Sequence, residues 1–348
     1  MTFEKKLKVA GLGVLITCGA LATAGSGAVF AQEKFQDNDP IKYTATGGSA
    51  RGYSRVVFEA LNGIVRDEYP DSAAEFKPGS PAGSLLEITR GNADFAGASG
   101  AVEVQYALEG TAPFRESLKD QIFHVMTIHN ELTVHYLMTE EWSEEHGIES
   151  MADIAEKKPP MEIAVNTEAN LQSTIAMYEH IFNEYGFSMD DVEDWGGSVL
   201  RGNSGIGMDA LADGRADVFI NGRFMPDSRL EEIHNNRPLK WIDIDRDKMA
   251  AAAEGWDYDL YIAPAGISPF IEKDSATQKM WNALQAGPHV SEETVYKFLT
   301  AISKNVDRVQ SIHSSLRNFG PEMMVWNPMN LPLHPGAERF YREKGLID

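Results

Sequence analysis

Cysteine is the scarcest residue of the chain, since Cys18 is the only one among 348 residues. Cys18 lies in an N-terminal segment that we expect to be removed, so the mature chain is expected to hold no thiol. That absence excludes disulfide bonds, thiolate catalysis and cysteine-ligated zinc. A chain without such links depends on its hydrophobic core, which suits a bacterial periplasm.

Positive charge is also scarce. The chain has 31 Lys and Arg residues against 52 Asp and Glu residues, which gives a net charge of −21. Such a surface repels nucleic acid and anionic lipid headgroups, so we predict no nucleic-acid partner. Beyond the N-terminal segment no apolar run approaches 18 residues, and no further membrane span is expected.

The motifs of common hydrolases and metalloenzymes are missing. HExxH does not occur, and His124, His129 and His135 have spacings that suit neither a helix face nor a strand. GxSxG is absent because "GNSGI" ends in Ile206 and "GASGA" ends in Ala101. We therefore predict no metal site, no cofactor and no enzymatic activity.

The N-terminal segment has the layout of an export signal. A basic start, KKLK (5–8), precedes an apolar stretch (9–24) and a small-x-small site that ends at Ala31. We predict a signal peptide over residues 1–31, cleaved near Ala31, and a periplasmic protein. A membrane anchor is one alternative, and a lipoprotein at Cys18 is another, although Thr17 does not fit the usual lipoprotein motif.

Strand-like and helical patterns alternate along the rest of the chain, which is typical of α/β architecture. "IKYTAT" (41–46) and "MEIAV" (161–165) resemble strands. Apolar residues at 56–65 and at 171–185 follow a helical stripe. A further stripe runs from 295 to 312, with Ser291 as its N-cap.

An internal echo indicates two related lobes. "RGNADFAGASG" (90–100) is matched by "DGRADVFINGR" (213–223), and each has Gly-x-Ala-Asp before a strand-like run. Chance is the alternative, because helix–Gly–strand joints are common in α/β proteins. We predict lobe I over residues 37–134 plus 256–348 and lobe II over residues 135–255.

A chain that crosses twice between lobes forms a hinge and a cleft. In open α/β sheets, ligands bind beyond the carboxyl ends of the strands. Four such ends are expected to line the cleft: "TATGGSARGYS" (44–54), "GASG" (97–100), "AVNTEAN" (164–170) and "INGRF" (220–224).

The first of these loops approaches the phosphate-binding pattern GxxxxGK[ST] but has Tyr53 in place of Lys, which argues against a nucleotide. Gly47 and Gly48 allow backbone N–H groups to approach a ligand at a helix N-terminus, where an anion is favoured. Ser49 and Tyr53 can donate hydrogen bonds, and Arg51 can grip a carboxylate. The alternative is a plain strand–helix turn.

Arg223 follows a predicted strand end beside Asn221. It could clamp a carboxylate with two parallel hydrogen bonds. The alternative is a surface ion pair with Asp227 or Glu231.

Several segments resemble the TAXI-type solute receptors of TRAP transporters. These are "TGGSARGYS", "PGSPAGSLLEITRGNADFAGA", "GIESMADIAEKKPPMEIAV", "YIAPAGISP" and, most specifically, the ending "LHPGAERFYREKGLI". The resemblance covers about residues 41–346, and departures in "NTEANLQST", in "GASG" and at Arg223 leave the ligand class open. It implies ligand-binding positions at Gly48, Ser49, Tyr53, Pro81, Ala82, Ser99, Thr167, Asn170, Asn221, Gly222 and Arg223.

The sequence therefore predicts an α/β fold, a two-lobed periplasmic binding protein of type II-like form with a hinge and an inter-lobe cleft. The predicted function is capture of a small organic acid, such as an amino-acid or keto dicarboxylate, for delivery to the membrane subunits of a TRAP permease. The alternatives are a ligand-binding sensor subunit and an exported enzyme acting on a small acid.

Overall fold

The computed structural model describes residues 38–50, 52–166, 173–256 and 258–348. The predicted signal peptide therefore lies outside the described residues. Within them, no helix has both the length and the apolar character needed to cross a bilayer.

The first half of the chain builds a parallel three-stranded unit. Its elements are β1 (Lys42–Thr46), α1 (Tyr53–Glu68), β2 (Ala73–Lys77), α2 (Pro81–Thr89), β3 (Phe95–Ser99) and α3 (Ala101–Glu109). β1 lies between β2 and β3 and pairs with both in parallel. The predicted stripe of α1 is buried at Val57, Leu61, Ile64 and Val65, but Val56 faces solvent because it falls outside the buried arc of the helix.

The middle of the chain repeats this plan. A long strand, β4 (Phe123–Thr139), leads through α4 (Glu140–His146) and α5 (Met151–Lys157) into the second unit. That unit contains β5 (Glu162–Asn166), α6 (Ser173–Glu184), α7 (Met189–Asp194), β6 (Ser198–Gly202), α8 (Ser204–Ala212), β7 (Val218–Phe224) and α9 (Ser228–Asn236). β5 lies between β6 and β7, again in parallel.

The last part of the chain begins in the core of the second half and then returns to the first unit. Its elements are β8 (Leu239–Trp241), α10 (Arg246–Ala253), β9 (Asp259–Ala263), β10 (Ser275–Ala286), α11 (Glu292–Lys304), α12 (Val306–Ile312), a 3₁₀ helix (Ser314–Leu316), α13 (Pro321–Val325) and α14 (Pro335–Glu343). The predicted stripe from 295 to 312 spans two helices, because the backbone leaves helical geometry at Asn305. Ser291 caps α11 as predicted, accepting the N–H of Thr294 at 3.1 Å.

Two long antiparallel strands connect the halves. The sheet order is β2-β1-β3-β10-β4-β7-β5-β6, with β10 and β4 between the two parallel units. The β4–β10 register shifts between Met280 and Asn282, between Asn282 and Ala283, and between Leu284 and Gln285. Irregular pairing of this kind bends and twists a sheet, and here it falls where the two halves meet.

The echoed segments occupy equivalent places in the two halves. The N–H of Asp94 bonds Thr44 in β1 at 2.8 Å, and the N–H of Asp217 bonds Glu162 in β5 at 2.7 Å. Each aspartate therefore begins the third strand of its half beside the first strand. The similarity of the two segments reflects a repeated βαβ arrangement.

Separate hydrophobic cores support the two halves. One core is drawn mainly from residues 134–276, and two others are drawn from residues 41–128 and from the chain after Trp281. The predicted fold class, two-lobed α/β, is therefore confirmed. The exact lobe boundaries stay a prediction, and the packing of residues 258–276 in the second core is the observation that bears on them.

Candidate functional site

A cavity of about 630 Å³ lies where the strand ends of both halves meet. Its wall includes residues that follow β1, β2 and β3, residues that follow β6, and the end of β7. The middle parts of β4 and β10 complete the wall through His129, Leu132 and residues 280–282. The volume is within the range of small-molecule sites.

The loop after β1 is shaped to bring backbone close to the cavity. Gly47 and Gly48 have φ values of 134° and 66°, a region that favours glycine. A Cβ atom on Gly48 would lie 2.6 Å from Oγ of Ser54, and one on Gly47 would lie 2.8 Å from Cβ of Ala98. Side chains at either position would therefore displace the loop.

Helix α1 begins at this loop without a side-chain cap. Its N-cap is Gly52, no side chain of the described residues bonds its first N–H groups, and its first turn carries no acidic residue. Free N–H groups and the helix dipole favour an anion at such a terminus. By contrast, Ser80 caps α2 through the N–H of Gly83 at 3.2 Å, and Asn203 caps α8 through the N–H of Ile206 at 3.1 Å.

Arg223 lines the cavity but is already paired. Its Nε and Nη2 atoms lie 2.6 Å and 2.5 Å from Oδ2 of Asp227. Asp227 is buried, and its Oδ1 accepts the N–H groups of Arg229 and Leu230 at the start of α9. The structure therefore has the Asp227 ion pair that the sequence left as an alternative, while Arg223 still borders the cavity.

An aromatic cluster of Tyr53, His129, Phe224 and His313 joins the two halves at the cavity wall. The ring centroid of Tyr53 lies 4.7 Å from that of Phe224 and 5.3 Å from that of His129. Burial, with smaller effects of His313 and Lys279, lowers the pKa of His129 to about 3. His129 is therefore neutral and contributes to the wall as an aromatic ring.

Glu103 is a buried acid on the cavity wall. It is 4% exposed, and its Oε2 accepts the N–H of Gly100 at 3.0 Å and the hydroxyl of Ser173. Burial raises the pKa of Glu103, while hydrogen bonds from Ser173 and Gly100 oppose that rise. The carboxyl group thus bonds the first residue of α6 in the second half from α3 in the first.

Comparison with known families places the chain. Residues 47–345 match the model described as the NMT1-like family. The chain belongs to the NMT1-like family.

Solved structures with a similar course to this NMT1-like chain are distant in sequence. The alkanesulfonate-binding protein SsuA from Xanthomonas axonopodis pv. citri, bound to MOPS, is 12% identical, with a TM-score of 0.45 over 89% of this chain and 96% of that chain. Lactococcal OpuAC complexed with glycine betaine is 11% identical, with a TM-score of 0.45 over 88% and 97% of the two chains. A binding protein component of an ABC phosphonate transporter from Pseudomonas aeruginosa is 13% identical, with a TM-score of 0.46 over 80% of each chain. Likenesses at this level say nothing about the ligand of this NMT1-like chain.

About half of the sequence-predicted positions line the cavity of the NMT1-like chain. The residues that do so are Gly48, Ser49, Tyr53, Pro81, Gly222 and Arg223. Three others, Arg51, Thr167 and Asn170, lie outside the described residues.

Ala82, Ser99 and Asn221 lie behind the cavity wall. Ala82 packs in a core cluster, and the hydroxyl of Ser99 donates to the carbonyl of Pro81 at 3.0 Å. Asn221 is 1% exposed and accepts a hydrogen bond from the hydroxyl of Ser204 at 2.9 Å. These side chains support the residues that face the cavity.

Sequence reasoning missed residues in the middle of the crossing strands and at three helix starts. These are His129, Trp281, Asn282, Glu103, Ser173, Asn203 and Ser204. A glutamate three residues after Gly100 is a capping pattern that could have indicated Glu103. The mid-strand residues have no such local signal.

Proposed function

We propose that this NMT1-like chain is an extracytoplasmic solute receptor that binds a small organic acid between its lobes and delivers it to a membrane permease. The observation that carries the proposal is the cavity itself, where strand ends of both repeated units meet. This is the place at which open α/β sheets bind ligands.

The uncapped start of α1 supports a carboxylate as the recognised group. Free N–H groups there, with the close approach allowed by Gly48 and the hydroxyl of Ser49 on the cavity wall, provide donors for an anion. Arg223 offers less than a free guanidinium, because Asp227 shares its charge. The main grip therefore comes from N–H donors of the first half and from Arg51, whose role as a carboxylate clamp stays a prediction.

The two crossing strands suit a hinge. β4 and β10 both pass between the halves, and their pairing is irregular at the cavity. Hinge closure of two lobes over a ligand is a common binding motion. The ligand stabilises closure only as far as it binds the closed form better than the open one.

The transport partner and location rest on the sequence. The export signal and the resemblance to TAXI-type receptors support a periplasmic protein that serves a TRAP permease. Membership of the NMT1-like family covers residues 47–345 and does not itself name the transport partner. We propose binding without catalysis.

Native mass spectrometry of the protein purified from the periplasm tests the proposal, because it weighs any molecule retained in the cavity. We expect a small carboxylate, and calorimetry with that compound should give a micromolar Kd, about −8 kcal/mol. A protein that retains and binds no small acid up to millimolar concentration would contradict the proposal.

Two arginine substitutions test which donors hold the carboxylate. Arg51→Ala is expected to cost roughly 2–5 kcal/mol of binding free energy if Arg51 forms a desolvated pair with the ligand. Arg223→Ala is expected to cost less, because Asp227 already neutralises Arg223. A change in the calorimetric Kd below threefold in both variants would contradict a carboxylate clamp by arginine. The N–H groups would then remain as the proposed donors.

A further inference from the structure

The donors at the start of α6 are already used by Glu103. The Ser173 hydroxyl donates to Oε2 of Glu103, and the same oxygen accepts the N–H of Gly100. Both groups are donors directed at one carboxyl oxygen, an arrangement that fits the ionised, acceptor-only form. A ligand anion at this end of the cavity would compete with an internal carboxylate that holds the same donors.

The charges on the cavity wall also disfavour an anion beside Glu103. Among the described residues that line the cavity, three have carboxylate or guanidinium side chains: Glu103, Asp209 and Arg223. Arg223 is neutralised by Asp227, and no ion pair to Glu103 occurs within the described parts of the chain. At a pH above its raised pKa, Glu103 therefore presents a buried negative charge that has no cation partner among the described residues.

Two parts of the cavity wall consequently differ. At the start of α1, N–H groups are free and no acidic residue lies in the first turn. Beside Ser173 and Trp281, the wall presents Glu103, which is 4% exposed. A like charge beside such a group costs several-fold to many-fold in affinity, because Glu103 is largely removed from bulk water and has no ion-pair partner among the described residues.

We infer that Glu103 is a specificity-determining residue that excludes a second anionic group, so that the ligand is a monocarboxylate whose far end is a neutral or positively charged hydrogen-bond donor. The inference rests on the proposed function, since it assumes that one carboxylate occupies the start of α1. It makes simple dicarboxylates poor ligands and their monoamides better ones. The far-end amide can donate to the carboxylate of Glu103, whereas a second carboxylate cannot.

The test compares diacids with monoamides of nearly equal shape. Calorimetry at pH 8 would use succinate with succinamate, glutarate with glutaramate, and L-glutamate with L-glutamine. In at least one pair the wild type is expected to bind the monoamide about tenfold or more tightly than the diacid. Glu103→Gln is expected to bring that ratio within about threefold, because an amide at this position repels neither member.

Glu109→Gln is the matched control. Glu109 lies on the same helix, is exposed and is absent from the cavity wall, so the substitution removes an equal charge at a distance. Its ratio should equal that of the wild type. Glu103→Asp retains the charge and should keep the preference for the monoamide, and it carries the comparison should Glu103→Gln fail to fold by circular dichroism.

The outcomes separate this inference from the proposed function. A wild type that binds the diacid as tightly as its monoamide in every pair that it binds overturns the inference and leaves carboxylate binding intact. A preference for the monoamide that survives in Glu103→Gln also overturns the role of Glu103. Binding of neither member of any pair counts against the carboxylate itself, and the inference falls with it.

Discussion

The two halves of the molecule each place a buried carboxylate just after their third strand, and they use it differently. Glu103 follows β3 and caps α3, while Asp227 follows β7 and caps α9. Their exposures are similar, at 4% and 6%. Asp227 is paired with Arg223, whereas Glu103 bonds only neutral donors among the described residues.

This difference assigns the two carboxylates different work. Asp227 has its charge neutralised and its second oxygen used by the start of α9, so it mainly stabilises the second half. Glu103 has no ion-pair partner among the described residues, lies beside the cavity and connects α3 to the first residue of α6. A buried carboxylate that follows the third strand is thus paired with an arginine in one half and borders the cavity with neutral donors in the other.

The largest expected effect is on Asp227. Asp227→Ala removes a helix cap and leaves Arg223 without its partner in a mostly buried place, which should lower the free energy of unfolding by about 3 kcal/mol. Urea denaturation measures it. Asp213→Ala, at an exposed aspartate paired with Arg215, should change that free energy by about 0.5 kcal/mol or less. A cost below about 1 kcal/mol for Asp227→Ala would show that Asp227 is not structural.

A smaller effect is expected at the loop of the first half. Gly48→Ala would force a residue with a Cβ into φ 66° and against Oγ of Ser54, so it should cost about 2 kcal/mol of stability and weaken ligand binding. Gly91→Ala is the control, because Gly91 has φ 73° but a Cβ atom added there would have no other atom within 4 Å. It should cost about 1 kcal/mol and leave the Kd unchanged. Equal ligand affinity in both variants would contradict a binding role for the loop.

The parts of this site that the sequence could predict are those with a local signal. The loop around Gly48 and the strand end at Arg223 can be predicted because glycine after a strand and arginine at a strand end are recognisable from the neighbouring residues alone. The repeated units were found because Asp94 and Asp217 begin equivalent strands. These features depend on neighbours in the chain.

The parts that could not be predicted depend on contacts between distant segments. His129 and Trp281 line the cavity because β4 and β10 lie between the two halves of the sheet. No local sequence pattern indicates which residue of a long buried strand lines a cavity. The sequence leaves Asp227 and Glu231 as alternative ion-pair partners of Arg223, and only the folded turn before α9 shows that Asp227 is the partner. Ser99 and Asn221 were assigned to the cavity from strand-end position, but their side chains bond the layer behind the wall.

The smallest expected effect is the pH dependence that Glu103 gives to the free energy of unfolding. Because burial raises the folded-state pKa of Glu103, the folded protein holds its proton to higher pH than the unfolded chain does. Folding stability therefore falls as pH rises from the ordinary glutamate pKa, near 4.5, through the raised value, by at most about 1.4 kcal/mol per pH unit. Glu103→Gln has no proton to lose and should lack this decline, so it should gain on the wild type as pH increases. Urea denaturation of wild type, Glu103→Gln and Glu109→Gln between pH 4.5 and 8 measures the difference. Parallel profiles for all three would mean that the hydrogen bonds from Ser173 and Gly100 offset burial completely, and Glu103 would then be no more perturbed than a surface acid.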